Sequence, residues 1–398
     1  MRQGPGGALG REPGRPDLAL ARASRPAAQR STWVVVSTLL AALFIASGCT
    51  GHAGARAASD PAVQRAQAVV ARALKTAGGY GGPLRGPPAQ RPGLIVFVAA
   101  DLTNGGIAGV AQGVGQAARA IGWPLRILDG QASVQGETAA LRLALTLKPA
   151  GIILGGFDAA GQQAALRQAR AQGIPVVGWH SGVRPGPDPG ADLFTNVTTS
   201  PAEVARLAAS YVIAKSDGTA GVVILTDSEY AVETYKADVM ASTLRQCRRC
   251  SVLQVIDVPI ANAQIGAPAV VNSLLQTYGK HLTYLLAVNG AYISGARVAL
   301  FGVGVQGDQP PFSVAAGDGD APELERIRAG NYQQATVAEP LYLQGWQLVD
   351  ELNRARAGQP PSGYVAPPRL VTQADVPDGA VFDPSSGYRE NYLRIWRR

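Results

Sequence analysis

The feature that most restricts how this chain can fold is a regular alternation of short apolar runs with longer amphipathic stretches. The runs at 94–100, 151–154 and 174–177 are continuously apolar rather than alternating. Strands of this kind are buried on both faces, as in parallel sheets that are covered by helices on each side. Because helical periodicity fills the segments between the runs, the pattern predicts a series of βα units around a parallel sheet.

A second series of the same kind follows a segment rich in glycine and proline at 182–190. Its apolar runs lie at 221–225, 252–258, 283–288 and 312–316. With 398 residues, of which 46% are hydrophobic, the chain is long enough for two lobes that each have a core. We therefore predict an α/β protein with two doubly wound, Rossmann-like parallel-sheet lobes. The ligand cleft is expected between the lobes, where the carboxyl ends of the strands meet.

The amino terminus predicts export. Residues 1–48 contain an arginine-rich stretch and then an apolar run at 33–46, which is too short for a typical membrane-spanning helix. The run ends in Ala-Ser-Gly-Cys at Cys49, and this ending resembles the lipobox of bacterial lipoproteins. The prediction is a signal peptide over 1–48, lipidation of Cys49 and a tether over 49–91. Cleavage near 53–55, or an uncleaved anchor, is the alternative.

The net charge of +8 does not indicate a nucleic-acid-binding protein. Residues 1–48 carry six arginines against two acidic residues, so half of the excess lies in the predicted signal peptide. The remainder shows no stripe of lysine and arginine with interleaved aromatic residues, which is the pattern of such proteins. We exclude nucleic acid as a partner, and nothing in the sequence indicates a cofactor.

Cys247 and Cys250 form a C-x-x-C pair and are the only cysteines besides Cys49. In a reducing compartment this spacing would suggest a redox or half-zinc site, but in an exported protein a local disulfide is the simpler outcome. Neither a second C-x-x-C pair nor a pair of histidines accompanies it. The prediction is a structural disulfide and no bound metal.

A match to the dinucleotide-binding pattern G-x-G-x-x-G occurs at 302–307. That pattern binds a pyrophosphate only where it joins a strand to the first turn of a helix. Here a helical segment precedes it, and the following Pro310 and Pro311 are incompatible with a helix interior. The prediction is a loop that leads from a helix to a strand.

Short segments at the ends of the predicted strands resemble the type I periplasmic binding proteins, most closely the ribose-binding and other sugar-binding members. The segments are Ala-Asp-Leu-Thr-Asn at 100–104, Ile-Pro-Val-Val at 174–177, Ala-Val-Asn-Gly-Ala at 287–291, Ala-Gly-Asp-Gly at 316–319, Pro-Glu-Leu at 322–324 and Ala-Thr-Val-Ala-Glu-Pro at 335–340. They cover about residues 92–375, and their order and spacing carry the resemblance.

The resemblance implies an exported solute-binding protein, not an enzyme, that captures a small polar solute of sugar type and delivers it to the permease of an ABC transporter. It also implies lobes joined by three crossings, near Asn196, Glu339 and Val371. The expected boundaries are 92–196 with 340–371 for the first lobe and 197–339 with 372–398 for the second. We expect a monomer that contacts the membrane through its lipid anchor.

Position by position, the resemblance predicts a ligand pocket with acidic, amide and aromatic side chains. The predicted ligand-binding residues are Asn104, Trp179, His180, Asn289, Asp318 and Glu339. The carboxylates of Asp318 and Glu339 would accept hydrogen bonds from hydroxyl groups, and the asparagines would both accept and donate. Trp179 would lie against an apolar sugar face. Tyr230 and Tyr292 are weaker candidates, since either could be a packing aromatic.

Departures from the family leave other functions open. Gly-Trp-His-Ser at 178–181 stands where ribose binders have an acidic residue and an arginine, and Glu339 replaces a glutamine at the hinge. Loss of bidentate arginine donors leaves room for an amino or cationic solute.

His180 and Asp318 could form the acid–base pair of an enzyme, but no nucleophile is identifiable. A sensor that docks on a chemoreceptor or a sensor kinase would have the same cleft.

Overall fold

The two predicted lobes are present in the structure, a computed structural model that describes residues 60–75 and 79–397. All of these residues lie within one unit of the chain. The predicted signal peptide and Cys49 lie outside the described residues. Within the two described ranges, no helix combines the length and the apolar character that a membrane span requires.

Six strands form the sheet of the first lobe. They are β1 (Ile95–Ala99), β2 (Leu125–Asp129), β3 (Gly151–Gly155), β4 (Val176–Trp179), β5 (Gly186–Asp188) and β6 (Leu193–Val197). Their order is β2-β1-β3-β4-β6-β5, and all neighbours are parallel except β5, which runs antiparallel to β6. The sheet is therefore the predicted parallel sheet with one short antiparallel edge.

The sheet of the second lobe has the same size and a similar design. Its strands are β7 (Gly221–Thr226), β8 (Ser251–Asp257), β9 (Tyr284–Ala287), β10 (Phe312–Ala315), β11 (Gln333–Ala338) and β12 (Arg369–Thr372). The order is β12-β11-β10-β9-β7-β8, with β12 antiparallel to β11 and the other pairs parallel. The prediction of two parallel-sheet lobes is confirmed.

Helices lie between the strands, as the periodicity predicted. They are α1 (Pro61–Lys75), α2 (Gly105–Ile121), α3 (Val134–Thr146), α4 (Gln163–Ala171), α5 (Pro201–Lys215), α6 (Ala231–Arg245), α7 (Ala263–Tyr278), α8 (Ala291–Gly302), α9 (Ala321–Arg328), α10 (Leu341–Arg356) and α11 (Tyr388–Trp396). Side chains begin several of them: Asn104 accepts a hydrogen bond in the first turn of α2, and Asp320 forms a capping box with Glu323 in α9.

Each lobe has its own hydrophobic core on both sides of its sheet. The central strands β1 and β3 of the first lobe and β7 of the second are buried along their whole length. The edge strands β2 and β8 are partly exposed instead. The continuous apolar runs in the sequence are therefore the strands that helices cover on both faces.

The G-x-G-x-x-G match at 302–307 is not part of a nucleotide site. Helix α8 ends at Gly302, and the segment that follows leads to strand β10. In this described part of the chain a helix precedes the match and a strand follows it, which is the reverse of the order that a nucleotide site requires. The match therefore does not lead into a helix amino terminus that could bind a phosphate. The predicted helix-to-strand loop is what the structure shows.

The carboxyl-terminal part of the chain differs from the expected lobe boundaries. Strand β12 belongs to the second sheet, although 340–371 was assigned to the first lobe. Helix α11 packs on α10 in the first core, although 372–398 was assigned to the second lobe. The reason is aromatic packing, since the rings of Trp396 and Trp346 stack at 5.5 Å and the Trp396 indole donates to Asp350 at 2.8 Å.

The predicted tether over 49–91 also contains docked segments. Helix α1 buries Ala62 and Val63 in the core of the second lobe. Residues 85–91 lie on the first lobe, where the side chain of Arg354 donates to the Arg85 carbonyl and that of Asn353 to the Pro87 carbonyl. The segment before β1 thus contacts both lobes, which a composition rich in alanine, glycine and proline did not reveal.

We expect Cys247 and Cys250 to resist alkylation in the exported protein. The two residues are disulfide-bonded in the structure, and Cys247 is buried. Peptide mapping by mass spectrometry should detect no labelled thiol at either position without a reductant and two labelled thiols after reduction under denaturing conditions. Complete labelling of both residues before reduction would show that the pair does not form a disulfide in the exported protein.

Candidate functional site

A small cavity of about 40 Å³ lies between the two lobes at the carboxyl ends of their strands. Of the six predicted ligand-binding residues, five line it, and they are Asn104, Trp179, His180, Asn289 and Asp318. Glu339 lies behind His180 and does not reach the cavity wall. A larger groove of about 1020 Å³ lies at the opposite ends of the first-lobe strands, where the topology places no convergent loops.

His180 and Glu339 form a buried ion pair. The Nε2 atom of His180 lies 3.1 Å from a carboxylate oxygen of Glu339, which also accepts a hydrogen bond from Gln344 at 3.0 Å. Burial opposes both charges, but each partner favours the other's charged form, so the pKa of His180 is raised and that of Glu339 is lowered to about 2. The pair connects the end of β4 to the lobe crossing that follows β11.

Trp179 lies under His180 rather than open to the cavity. The two rings stack with centroids 3.9 Å apart and planes 8° from parallel. The indole N–H donates to Gln344 at 2.9 Å, and only 2% of the residue is exposed. The imidazole therefore covers one face of the indole. Only the edge and the other face of Trp179 could contact a ligand in the predicted stacking role.

Asp318 is a buried carboxylate at the end of β10. One of its oxygens accepts a hydrogen bond from the side-chain amide of Asn289 at 2.9 Å, and Asn289 in turn caps the first turn of α8. Burial raises the pKa of Asp318 to about 7, against the opposing effect of Lys236 and His180. The predicted pair of Asn289 and Asp318 is thus brought together on one wall.

Lys236 is the central residue that the sequence analysis did not identify. It lies on α6 with 1% of its surface exposed, and its ammonium group donates to the carbonyl oxygens of Val288 at 2.9 Å and Ala316 at 3.0 Å. Its third partner is a carboxylate oxygen of Glu233 at 2.7 Å. The i, i+3 spacing of Glu233 and Lys236, directly after a predicted strand, was the signal that could have revealed it.

These ionisable side chains form one group, which we call the buried charge cluster. Its members are Glu233, Lys236, His180, Asp318 and Glu339. The ligating atoms of His180, Asp318 and Glu339 lie within 4.8 Å of one another, as a metal site would require. The ammonium group of Lys236 already supplies positive charge beside these carboxylates, and ion pairs account for the arrangement.

The proposed acid–base pair of an enzyme is not what the geometry shows. His180 directs Nε2 to Glu339 and not to Asp318. The cavity wall, within the described residues, contains no serine, threonine or cysteine. The described wall thus offers hydrogen bonds and charges but no hydroxyl or thiol nucleophile of serine, threonine or cysteine.

Direct contacts join the lobes on both sides of the cavity. Asp158 of the first lobe accepts a hydrogen bond from the backbone N–H of Ala231, the first residue of α6 in the second lobe, at 2.9 Å. At the first turn of α2, a side chain at Gly106 would overlap the carboxylate of Asp318. Asp158 of the first lobe thus lies at the amino terminus of α6, and Asp318 of the second lobe lies at the amino terminus of α2. The helix dipole favours a negative charge at both places.

The two weaker tyrosine candidates have different positions. Tyr230 lines the cavity and packs against the core of the opposite lobe. Tyr292 is fully buried in the second core, where its hydroxyl donates to the Val258 carbonyl. Tyr230 is therefore placed to meet a ligand, and Tyr292 is a packing residue.

Solved structures of sugar-binding proteins share this fold. A glucose-galactose binding protein, GanP, from Geobacillus stearothermophilus has a TM-score of 0.64 and 17% identity, over 72% of this chain and 100% of that one. The periplasmic binding protein of an arabinose ABC transporter from Shewanella sp. ANA-3 has a TM-score of 0.62 and 17% identity, over 76% and 95%. At this identity, the likeness establishes the fold alone.

A comparison with curated protein sequences gave no match. A family model described as a periplasmic binding protein domain matches residues 95–360, which include both sheets except β12 and every predicted ligand-binding residue. The match covers more than half of the chain and agrees with the two-lobed fold and its central cavity. The chain therefore belongs to the periplasmic binding protein domain family.

Proposed function

We propose that this protein is an exported receptor that closes on a small polar solute of sugar type and delivers it to the permease of an ABC transporter. The observation that carries the proposal is the convergence of the carboxyl ends of both parallel sheets on one cavity with a polar wall from each lobe. The sugar-binding neighbours described above support the choice of solute class. The pairing of His180 with Glu339 rather than with Asp318 favours binding over the acid–base chemistry considered above.

Capture in this proposal depends on lobe closure about the backbone crossings. The chain passes between the lobes after β6, after β11 and between α10 and β12. A fourth passage follows β12, because α11 returns to the first lobe. Closure would bring the two polar walls together around the solute and form one docking surface from both lobes.

A thermal-shift screen tests the proposal directly. Sugars, amino sugars, polyols, nucleosides and amino acids would each be added to the purified protein. A solute that binds only the folded state at a hundred times its Kd stabilises it by about 2.7 kcal/mol, which raises the melting temperature. A shift with sugars or their derivatives supports the proposal, whereas shifts with amino acids or nucleosides alone would contradict the solute class.

We predict that Asp318→Ala weakens binding of the solute identified in this way. A hydrogen bond to an ionised carboxylate contributes about 1.5–3 kcal/mol, so calorimetry should show an affinity loss of roughly tenfold to more than a hundredfold per bond. Asp308→Ala is the matched control, since Asp308 is exposed on a loop. An Asp318→Ala protein that is folded and binds like the wild type would place the ligand elsewhere.

We predict that Gly106→Leu prevents full closure, because the new side chain would overlap Asp318 across the cleft. Small-angle X-ray scattering with saturating solute should show a larger radius of gyration than for the wild type, and affinity should fall at least tenfold. Gly302→Leu is the control, because no atom lies near the position of its Cβ. If both variants reached the radius of gyration of the wild type with saturating solute, the contact between α2 and Asp318 would not limit closure.

We also propose that Cys49 is lipidated and holds the receptor on the outer face of a bacterial membrane. The support is the short apolar run that ends in Ala-Ser-Gly-Cys. Cys49→Ser should move the protein from the membrane fraction to the soluble fraction while its solute affinity is unchanged. Ala53→Ser serves as the control for the alternative cleavage region, and unchanged fractionation of Cys49→Ser would exclude the lipid anchor.

A further inference from the structure

Several hydrogen-bond donors around the cavity already have a partner within the protein. The indole N–H of Trp179 donates to Gln344, and the side-chain amide of Asn289 donates to Asp318. The Nε2 atom of His180 is engaged by Glu339. Lys236, just behind the wall, uses its three ammonium hydrogens on two carbonyl oxygens and Glu233. The side-chain amide of Asn104 and the hydroxyl of Tyr230 remain on the wall as uncharged donors for the acceptor atoms of a ligand.

Carboxylate acceptors are numerous on the same wall. Those of Asp101, Glu233 and Asp318 all line the cavity, and Asp101 already accepts hydrogen bonds from Thr103. Asp318 has one oxygen bonded to Asn289, and Glu233 has one oxygen paired with Lys236, so each retains a second oxygen. Because an ionised carboxylate can accept several hydrogens, the wall is suited to a ligand that is rich in donors.

The surrounding charge has the same sign. No arginine or lysine is among the described residues that form the cavity wall, and His180 is its only basic side chain. Burial raises the pKa of Tyr230, and the nearby carboxylates of Glu137, Asp227 and Glu229 raise it further. The cleft is therefore acidic although the whole chain carries a net charge of +8. Such a cleft attracts cations and repels anionic solutes.

An aromatic wall accompanies the carboxylates. Tyr230 and Trp179 line the cavity together with Asp318. The faces of tyrosine and tryptophan rings attract cations, more strongly where water is excluded. The ring of Tyr230 beside the carboxylate of Asp318 is therefore suited to an ammonium group with an apolar body, whereas one face of Trp179 is already covered by His180.

From these observations we infer that the solute is a hydroxylated amine, such as an amino sugar, whose protonated nitrogen is bound by Asp318. The inference rests on the proposed function, since it concerns the ligand of the same cavity, and it narrows the solute class. The hydroxyl groups of such a solute would donate to Asp101 and Glu233, and its ammonium group would add positive charge to the acidic cleft. A neutral sugar of the same shape would lack that charge.

Calorimetry on the full chain with matched pairs tests the inference. The pairs are D-glucosamine with D-glucose and D-galactosamine with D-galactose, with the N-acetyl derivatives as uncharged controls. We expect at least one amine to bind ten or more times as tightly as both its hydroxyl partner and its N-acetyl derivative. Equal or tighter binding of the neutral members would overturn the inference and leave the sugar receptor intact. If no member of either pair binds, both the inference and the sugar-type solute are wrong.

Asp318→Asn keeps the size of the side chain and removes its charge. In this variant the preference for the amine over its hydroxyl partner should fall to less than threefold, while in the matched control Asp308→Asn the preference should remain. A full preference in a folded Asp318→Asn protein would contradict the assigned role of Asp318. If Asp318→Asn does not fold, as judged by its thermal transition, Asp318→Ala replaces it. In that variant too the preference should fall to less than threefold, and a full preference there would overturn the inference.

Discussion

The ion pairs of Lys236 are the interactions on which the geometry of the cleft depends. Its ammonium group joins α6 to the carboxyl ends of β9 and β10 through the carbonyl oxygens of Val288 and Ala316. A buried ammonium ion without partners would be costly, and removal of one partner from a buried ion pair typically costs about 3–5 kcal/mol. The position of α6 against the second sheet is therefore fixed by charge compensation as well as by packing.

The rest of the buried charge cluster extends this constraint to the first lobe. Asp318 lies near Lys236 in the second lobe, and His180 follows β4 in the first. Glu339, at a crossing between the lobes, pairs with His180. Since His180 and Asp318 lie on opposite lobes and each influences the charge of the other, the electrostatics of the cavity depend on how the lobes are arranged. A cation in the cavity would lower the cost of keeping Asp318 ionised.

Both ends of the described chain add contacts that the common two-lobed design does not require. Helix α1 is docked on the second lobe, and residues 85–91 are docked on the first. Helix α11 returns to the first core through the stacked rings of Trp346 and Trp396. The two lobes are therefore held by these contacts of the described chain ends as well as by the backbone crossings.

The number of lobes and their parallel sheets could be predicted from the sequence, because continuous apolar runs and helical periodicity are local properties of the chain. The candidate residues Asn104, His180, Asn289 and Asp318 needed more, since the resemblance to type I periplasmic binding proteins supplied them position by position. The same local logic identified the loop at 302–307, since two prolines decide the backbone conformation there.

Which side chains compensate one another depends on the tertiary structure. The spacing of Glu233 and Lys236 is visible in the sequence, but the contacts of Lys236 with the Val288 and Ala316 carbonyls are not. The same is true of the hydrogen bond between Trp179 and Gln344. The covered face of Trp179 and the return of α11 likewise depend on contacts over long separations. Such partners are set by burial, because a charge or N–H group removed from water must find a partner wherever the fold provides one.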